Sequence, residues 1–143
     1  MIGMILGGRI NEVEIKRKKD EPVVGFDINV NIKSIEENNG RIIVSYEYEV
    51  KYKPDVAYMK ISGDIIGEFN DSKEIIKEWE KSKKEKRVAK LPQEFSEEIL
   101  NAINYTCSVN GTILARTLNL APPIVMPRLQ IEKEEKGERG RGM

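Results

Sequence analysis

The first half of the chain alternates apolar and polar residues with a period of two. The clearest example is residues 42–52, where one face carries Ile42, Val44, Tyr46, Tyr48, Val50 and Tyr52. Shorter or less regular alternation occurs in residues 12–16, 26–33 and 57–69. Because successive side chains of a strand point to opposite faces, these four segments are predicted to be strands, each with one apolar face.

Turn-forming residues separate the four segments. Glu21-Pro22, Asn38-Asn39-Gly40 and Lys53-Pro54-Asp55 supply either a proline that fixes φ or residues that tolerate positive φ. Short connections favour antiparallel pairing between strands that follow one another, since parallel pairing requires a crossover of a dozen residues or more. The prediction is a four-stranded antiparallel sheet, with Gly63 and Gly67 as bulge positions in the fourth strand.

After Phe69 the apolar period becomes helical. Asp71 and Glu74 are predicted to form a capping box at the start of a short helix. A second helix of about 25 residues is predicted to begin at Pro92. Gly111 weakens this helix by up to about 1 kcal/mol relative to Ala. The wide face of the second helix carries Phe95, Ile99, Ala102, Ile103, Thr106, Cys107, Val109, Asn110, Ile113, Leu114 and Thr117.

Composition narrows the class of protein. The 143 residues suit one domain, assigned to residues 1–131, and a charged, Gly-rich tail at 132–143 that is predicted to be disordered. Basic and acidic residues number 24 each, and this neutrality argues against a nucleic-acid or membrane-surface protein. One cysteine, no signal-peptide pattern and no bilayer-spanning apolar run predict a cytoplasmic protein without membrane insertion. Abundant Lys, Glu and Ile are typical of heat-adapted proteins.

Few residues suit catalysis or metal binding. Histidine is absent and one cysteine cannot build a thiolate zinc site, so we expect no metal, no cofactor and no enzymatic activity. Cys107 lies on the apolar helix face and is predicted to be buried and structural. Asp64 and Glu68 remain as a possible carboxylate pair, although a solvated strand face gives the same pattern. The basic run from Lys81 to Lys90 lacks interleaved aromatics, which favours a solvated helix end over a nucleic-acid site.

Four tyrosines allow two interpretations. Tyr46, Tyr48 and Tyr52 share the apolar face of the third segment, and Tyr58 follows in the fourth. Tyrosine is enriched at binding surfaces, so one interpretation is an exposed groove. The other, which we favour, is an aromatic core beneath the helices. Tyr58 is out of phase with the apolar residues of its segment and is predicted to lie on the opposite face of the sheet.

The residues that follow the second helix resemble a known family. Leu118-Asn119-Leu120-Ala121-Pro122 is similar to the closing segment of the SecB export chaperones. Upstream, Glu98-Ile99-Leu100, Cys107, Ile113-Leu114 and Arg116 resemble the second helix of that family. The predicted order of four strands and two helices matches the family over nearly the whole chain.

Two features of the sequence depart from the family pattern. Ser108 and Ala115 stand near positions where family members typically have proline. The tail is acidic in typical members, which helps them to hand substrate to the export motor. Here the glutamates of the tail are offset by Lys133, Lys136, Arg139 and Arg141.

The resemblance implies an α+β fold in which both helices pack on one face of the sheet. It also implies an ATP-independent holdase for unfolded polypeptides, serving protein export or, in some relatives, a restricted client such as an antitoxin. Such proteins are homotetramers built as dimers of dimers, need no cofactor and hold extended clients in apolar grooves. From apolar phase and the family together, the predicted groove residues are Ile28, Val30, Tyr46, Tyr48, Ile113, Leu114, Leu118 and Leu120.

Two other hypotheses remain open at this point. An adaptor domain would bind one specific folded partner through the tyrosine face of the sheet. An enzyme would use the carboxylates of Asp64 and Glu68.

Overall fold

Four strands and two helices follow one another in residues 3–124, which are the residues that this computed structural model describes. The elements are β1 (Gly3–Arg17), β2 (Gly25–Asn38), β3 (Arg41–Lys53), β4 (Ala57–Phe69), α1 (Ser72–Glu85) and α2 (Gln93–Thr117). The predicted α+β order, with the strands first, is confirmed. The predicted tail at 132–143 lies outside the described residues.

The sheet is antiparallel throughout and has the strand order β1-β4-β3-β2. β2, β3 and β4 form successive hairpins, as predicted, but β1 pairs with β4 from Gly3 opposite Phe69 to Arg17 opposite Ala57. The prediction that β1 neighbours β2 is therefore wrong, and the sheet is a Greek key. Residues 18–24, which join the two edge strands, need to cover only about 14 Å across three strand spacings, well within their extended reach.

The core lies on one face of the sheet, called the inner face below. The six apolar residues predicted for β3 are each at most 1% exposed, and the inner-face apolar residues of β4 are also buried: Ala57, Met59, Ile61, Ile65 and Phe69. The alternation predicted from the sequence is thus confirmed in both central strands. The edge strands are less well covered, because the half-buried apolar residues of β2 lie only against its single partner β3 and the helix above.

Both helices pack on the inner face, as predicted. α2 contacts β1, β3 and β4, whereas α1 contacts β2. The side of α2 that faces the sheet carries a buried row with a spacing of four residues: Phe95, Ile99, Ile103, Cys107, Gly111 and Ala115. The Phe95 ring meets Phe69 edge-on, with ring centroids 4.9 Å apart. Cys107 is fully buried, as predicted, and burial raises the pKa of its thiol to about 11.

One local prediction about the helices is wrong. Asp71 occupies the N-cap position of α1, but its side chain makes no capping hydrogen bond, so the predicted capping box does not form. α1 extends to Glu85, so the basic run from Lys81 begins as the helix end predicted for it, and α1 ends where Lys86 adopts a left-handed conformation. The length predicted for α2 is confirmed at 25 residues.

Irregular pairing occurs in the edge strands and not in β4. Register shifts lie at Leu6 and Asn11 of β1 and at Lys33 of β2. Gly63 is instead a position of close approach: a Cβ there would collide with the carbonyl oxygen of Arg9 and lie 2.8 Å from the Tyr46 hydroxyl. The predicted bulges in β4 are therefore wrong, and the glycine makes room for the bulged strand opposite.

Replacement of Gly63 by Ala tests this close approach. We expect Gly63→Ala to lower the free energy of unfolding by about 1–3 kcal/mol, because backbone atoms of β1 have to move. Gly7→Ala is the matched control, since nothing lies within 4 Å of a Cβ added at Gly7. That control is expected to change stability by no more than about 1 kcal/mol. Chemical denaturation measures both, and equal effects of the two substitutions would contradict the explanation.

Candidate functional site

The eight residues predicted to line a groove do not share one open surface. Tyr46, Tyr48 and Leu120 are buried in the core. Ile28, Val30, Leu114 and Leu118 are half-buried against that core. Ile113 is neither buried nor half-buried, unlike the other seven residues. It lies two residues from both Gly111 and Ala115 of the buried row. It is therefore about half a helical turn away from the sheet and is exposed. Ile113 cannot line a groove between α2 and the sheet.

An apolar row on the inner face of β2 is only partly covered. This β2 row consists of Phe26, Ile28, Val30 and Ile32. In the pairing of β2 with β3 it lies beside the tyrosines, with Phe26 opposite Tyr52 and Val30 opposite Tyr48. The β2 row therefore continues the buried apolar surface of β3 outwards to a partly solvated margin.

The same strand forms one edge of the sheet. Within residues 3–124, β2 pairs with β3 alone, so the main-chain groups on its other side have no strand partner there. Pairing in residues 25–32 is regular, because the single register shift of β2 lies at Lys33. β1, at the opposite edge, has two bulges, and bulges hinder the addition of a further strand. The β2 edge is thus the better suited of the two for pairing with another extended chain.

The chain that leaves α2 covers two tyrosines of β3. Residues 118–124, called the exit segment below, lie over the inner face. The Tyr52 hydroxyl donates a hydrogen bond to the carbonyl oxygen of Ala121 at 2.7 Å, and the Tyr48 hydroxyl donates to that of Pro123 at 3.4 Å. Burial raises the pKa of both tyrosines from 10.0 to about 12, so these hydroxyls stay protonated donors well above neutral pH.

The exit segment is also held from β1 and from α2. The guanidinium group of Arg17 donates to the carbonyl oxygens of Leu118, at 2.8 Å, and Asn119, at 3.3 Å. On the other side Pro123 packs against Gly111, where an added Cβ would lie 2.8 Å from the proline ring. The absence of a side chain at Gly111 is what allows this proline to pack against the helix.

The positions of the tyrosines decide between the two interpretations of the sequence. Tyr46, Tyr48 and Tyr52 are buried, so the aromatic core is confirmed, and they do not present the exposed face that the adaptor hypothesis requires. Tyr58 lies on the opposite, outer face of the sheet, as predicted, with the Lys18 ammonium group 5.6 Å from its ring centroid.

The candidate carboxylates lie on the outer face and are not close to each other. Asp64 is 6% exposed and accepts hydrogen bonds from Arg9, Asn11 and Ser45 at 2.8–3.1 Å. Glu68 pairs instead with Arg41 at 3.4 Å. Four residues of strand separate the two positions by about 13 Å, which exceeds the spacing of about 5–10 Å in catalytic carboxylate pairs. The arrangement does not support acid–base chemistry by this pair.

Residues 3–124 contain neither a cluster of metal ligands nor a membrane-spanning helix. No group of three or more His, Cys, Asp or Glu side chains in this range is placed to hold a metal ion. Neither α1 nor α2 is long and apolar enough to cross a membrane.

Comparison with known proteins identifies the fold. No protein-family model and no curated protein matches the sequence. Among solved structures, the SecB-like chaperone Rv1957 of Mycobacterium tuberculosis superposes with a TM-score of 0.56, covering 87% of this chain and 86% of that chain. The chain has a SecB-like fold. Sequence identity to Rv1957 is 10%, so the likeness concerns the fold. That protein was solved in complex with a ChAD peptide from the Rv1956 HigA1 antitoxin.

Several residues of this region were not identified from the sequence. Phe26 and Ile32 share the two-residue phase of Ile28 and Val30, so the signal that places them in the β2 row was present. Arg17 continues the phase of Val13 and Ile15 on the inner face, opposite Ala57, but a charged residue at a strand end does not reveal its partner. Its partner Leu118 is 101 residues away in the chain.

The buried carboxylate of Asp64 is expected to make the protein less stable in acid. Burial alone would raise the pKa of Asp64, but hydrogen bonds from Asn11, Ser45 and Arg9 outweigh it and hold the pKa below its ordinary value. The ionised form therefore stabilises the fold above about pH 4, and this stabilisation is lost as the pH falls through the lowered folded-state pKa. We expect Asp64→Asn to cost about 1–3 kcal/mol at pH 7, and less as the pH falls below about 4.

Glu68→Gln is the control for this measurement. Its carboxylate is half exposed in a surface ion pair, so the substitution is expected to cost less than about 1 kcal/mol. Urea denaturation of both variants between pH 2 and 8 provides the measurement. A cost of Asp64→Asn that does not change with pH would show that the hydrogen-bonded charge does not stabilise the fold.

Proposed function

We propose that the protein is an ATP-independent holdase that binds extended segments of unfolded polypeptides along β2. The observation that carries this proposal is the half-buried β2 row beside a regular strand edge with no strand partner in residues 3–124. An added client strand would form main-chain hydrogen bonds with β2. Its alternate side chains would be buried against the β2 row.

This mode of binding explains how one site accepts many clients. Main-chain pairing does not read sequence, and the apolar row selects only for side chains that prefer to leave water. The SecB-like fold supports the proposal, since Rv1957 with that fold holds a peptide of another protein. Export precursors and antitoxins in the cytoplasm are both clients that such a site would accommodate, and binding them consumes no nucleotide.

An aggregation assay tests the proposed function. A denatured protein is diluted into buffer with the purified chain and without nucleotide, and light scattering is followed over time. A holdase suppresses scattering at near-stoichiometric ratios. Capture of one folded protein together with indifference to denatured proteins would support the adaptor hypothesis instead.

Substitutions along β2 test the location of the site. The double variant Ile28→Thr/Val30→Thr keeps β-branched side chains but makes the β2 row more polar. We expect it to bind an unfolded polypeptide roughly tenfold more weakly, because each position loses about 0.8 kcal/mol of apolar burial. The matched control is Asn29→Thr/Asn31→Thr on the outer face of the same strand, which we expect to leave affinity unchanged. Fluorescence anisotropy with a labelled, reduced and alkylated protein measures affinity, and equal losses in both variants would contradict the assignment.

Self-association belongs to the same proposal. On the side of α2 away from the sheet, Tyr105, Val109 and Ile113 follow one another at a spacing of four residues and are 75%, 48% and 62% exposed. These three residues are called the α2 stripe below. An amphipathic helix with a second apolar stripe can bury it against the same stripe of another copy. We therefore include a homo-oligomer in the proposal, with the α2 stripe as one interface and a dimer of dimers as the expected size.

A charge on the α2 stripe tests this interface. We expect Val109→Glu to shift the protein to a smaller assembly, because the glutamate would be buried without a partner in the interface. Asn104→Glu, an exposed position of the same helix beside the stripe, is expected to leave the mass unchanged. Size-exclusion chromatography with multi-angle light scattering gives the mass of each. A monomeric wild-type protein would remove oligomerisation from the proposal.

A further inference from the structure

The exit segment is held on the sheet in the way a peptide ligand would be held. It belongs to no helix or strand, and four of its carbonyl oxygens, those of Leu118, Asn119, Ala121 and Pro123, accept hydrogen bonds from side chains. All the donors come from the sheet: one guanidinium group on β1 and two hydroxyl groups on β3. Carbonyl oxygens are present in every polypeptide, so the two hydroxyl donors of β3 suit any extended chain placed over them.

The position of the exit segment limits the apolar surface that a client can reach. Its anchors Tyr48 and Tyr52 lie directly beside the β2 row, and the ring centroids of Tyr52 and Phe26 are 5.8 Å apart. With the exit segment in place, the two tyrosines are buried and only the margin along β2 is partly open. With the segment displaced, the open surface would span β2 and β3 together and include both hydroxyl donors.

The main-chain N–H groups at the start of the segment, those of Leu118, Asn119 and Leu120, donate to carbonyl oxygens of α2 at 2.8–3.2 Å and not to the sheet. Ala121 and Pro122 are exposed, whereas Leu120 and Pro123 point into the core. Pro122 and Pro123 have no N–H group, so this part of the segment cannot pair with a strand through those positions. The segment therefore contributes few main-chain donors of its own, while an ordinary client chain can offer one at nearly every residue.

We propose that the exit segment is an internal occupant of the polypeptide-binding face and that a client displaces it from Tyr48 and Tyr52. This inference rests on the proposed holdase function. The client is an extended, unfolded polypeptide that covers β2 and the tyrosine part of β3. The exit segment and the client compete for the same hydroxyl donors, so a looser exit segment gives a tighter client complex.

Two variants loosen the exit segment without touching the face that the client covers. Gly111→Ala places a Cβ against the Pro123 ring from the α2 side. Arg17→Gln removes the guanidinium group that holds Leu118 and Asn119 at the start of the segment. The matched controls are Asn104→Ala, which raises helix propensity on an exposed face of α2, and Lys16→Gln on the outer face of β1.

Binding of labelled, reduced and alkylated lactalbumin to the full-length chain is measured by fluorescence anisotropy for all five proteins. We expect Gly111→Ala and Arg17→Gln to bind roughly threefold to tenfold more tightly than wild type, as loss of about one hydrogen bond predicts. The two controls are expected to match wild type. Hydrogen exchange of the wild-type protein, read by mass spectrometry, is expected to speed up at Leu120 and Ala121 when the lactalbumin is added.

The outcomes separate this inference from the function on which it rests. Lactalbumin binding that is equal in all five proteins, with unchanged exchange in the exit segment, overturns the displacement and leaves the holdase standing. Binding by none of the five overturns the holdase and the displacement together. The exchange experiment uses the wild-type protein, so it decides the question even if a variant fails to fold.

Discussion

The burial of three tyrosines on β3 is the constraint from which much of the remaining architecture follows. Tyr46, Tyr48 and Tyr52 each bring a hydroxyl group into the core, and a buried hydroxyl without a partner costs free energy. Tyr46 lies 3.8 Å from the thiol of Cys107, and the other two donate to the exit segment. The path of α2 and of the chain beyond it is therefore tied to the polar tips of an otherwise apolar strand face.

Stability and proposed function occupy different parts of the sheet. The central strands β3 and β4 are covered by α2 and the exit segment, and their apolar residues on the inner face are buried. β2 lies at the margin, where its apolar row is half covered and one side has no strand partner in residues 3–124. A surface that must accept another chain cannot also be fully packed, so an incompletely covered edge is the natural place for it.

Local patterns predicted the elements of this fold, whereas contacts distant in sequence determined their arrangement. The alternation of apolar and polar residues in 42–52 and 57–69 was sufficient to predict two strands with a buried face, because side-chain direction in a strand depends only on local geometry. The pairing of β1 with β4 was missed. The short connection between β1 and β2 favours pairing of those two strands, but packing between residues distant in sequence decides which strands pair. The role of Gly63 was missed for the same reason: the space beside it is occupied by Arg9 and Tyr46, which no local pattern brings together.

For the site, the apolar phase of the sequence identified Ile28 and Val30 but misplaced Ile113, because a wide apolar stripe on a helix does not reveal which part of it faces the sheet.

The pairing of β1 with β4 has a consequence for biosynthesis. β1 is the first strand to leave the ribosome, but its partner strand ends at Phe69 and is the last of the four to be made. At a synthesis rate of roughly 5–20 residues per second, β1 waits several seconds before it can pair. Throughout that interval its apolar residues have no sheet to join, and the nascent protein is itself a chain of the kind that it is proposed to bind.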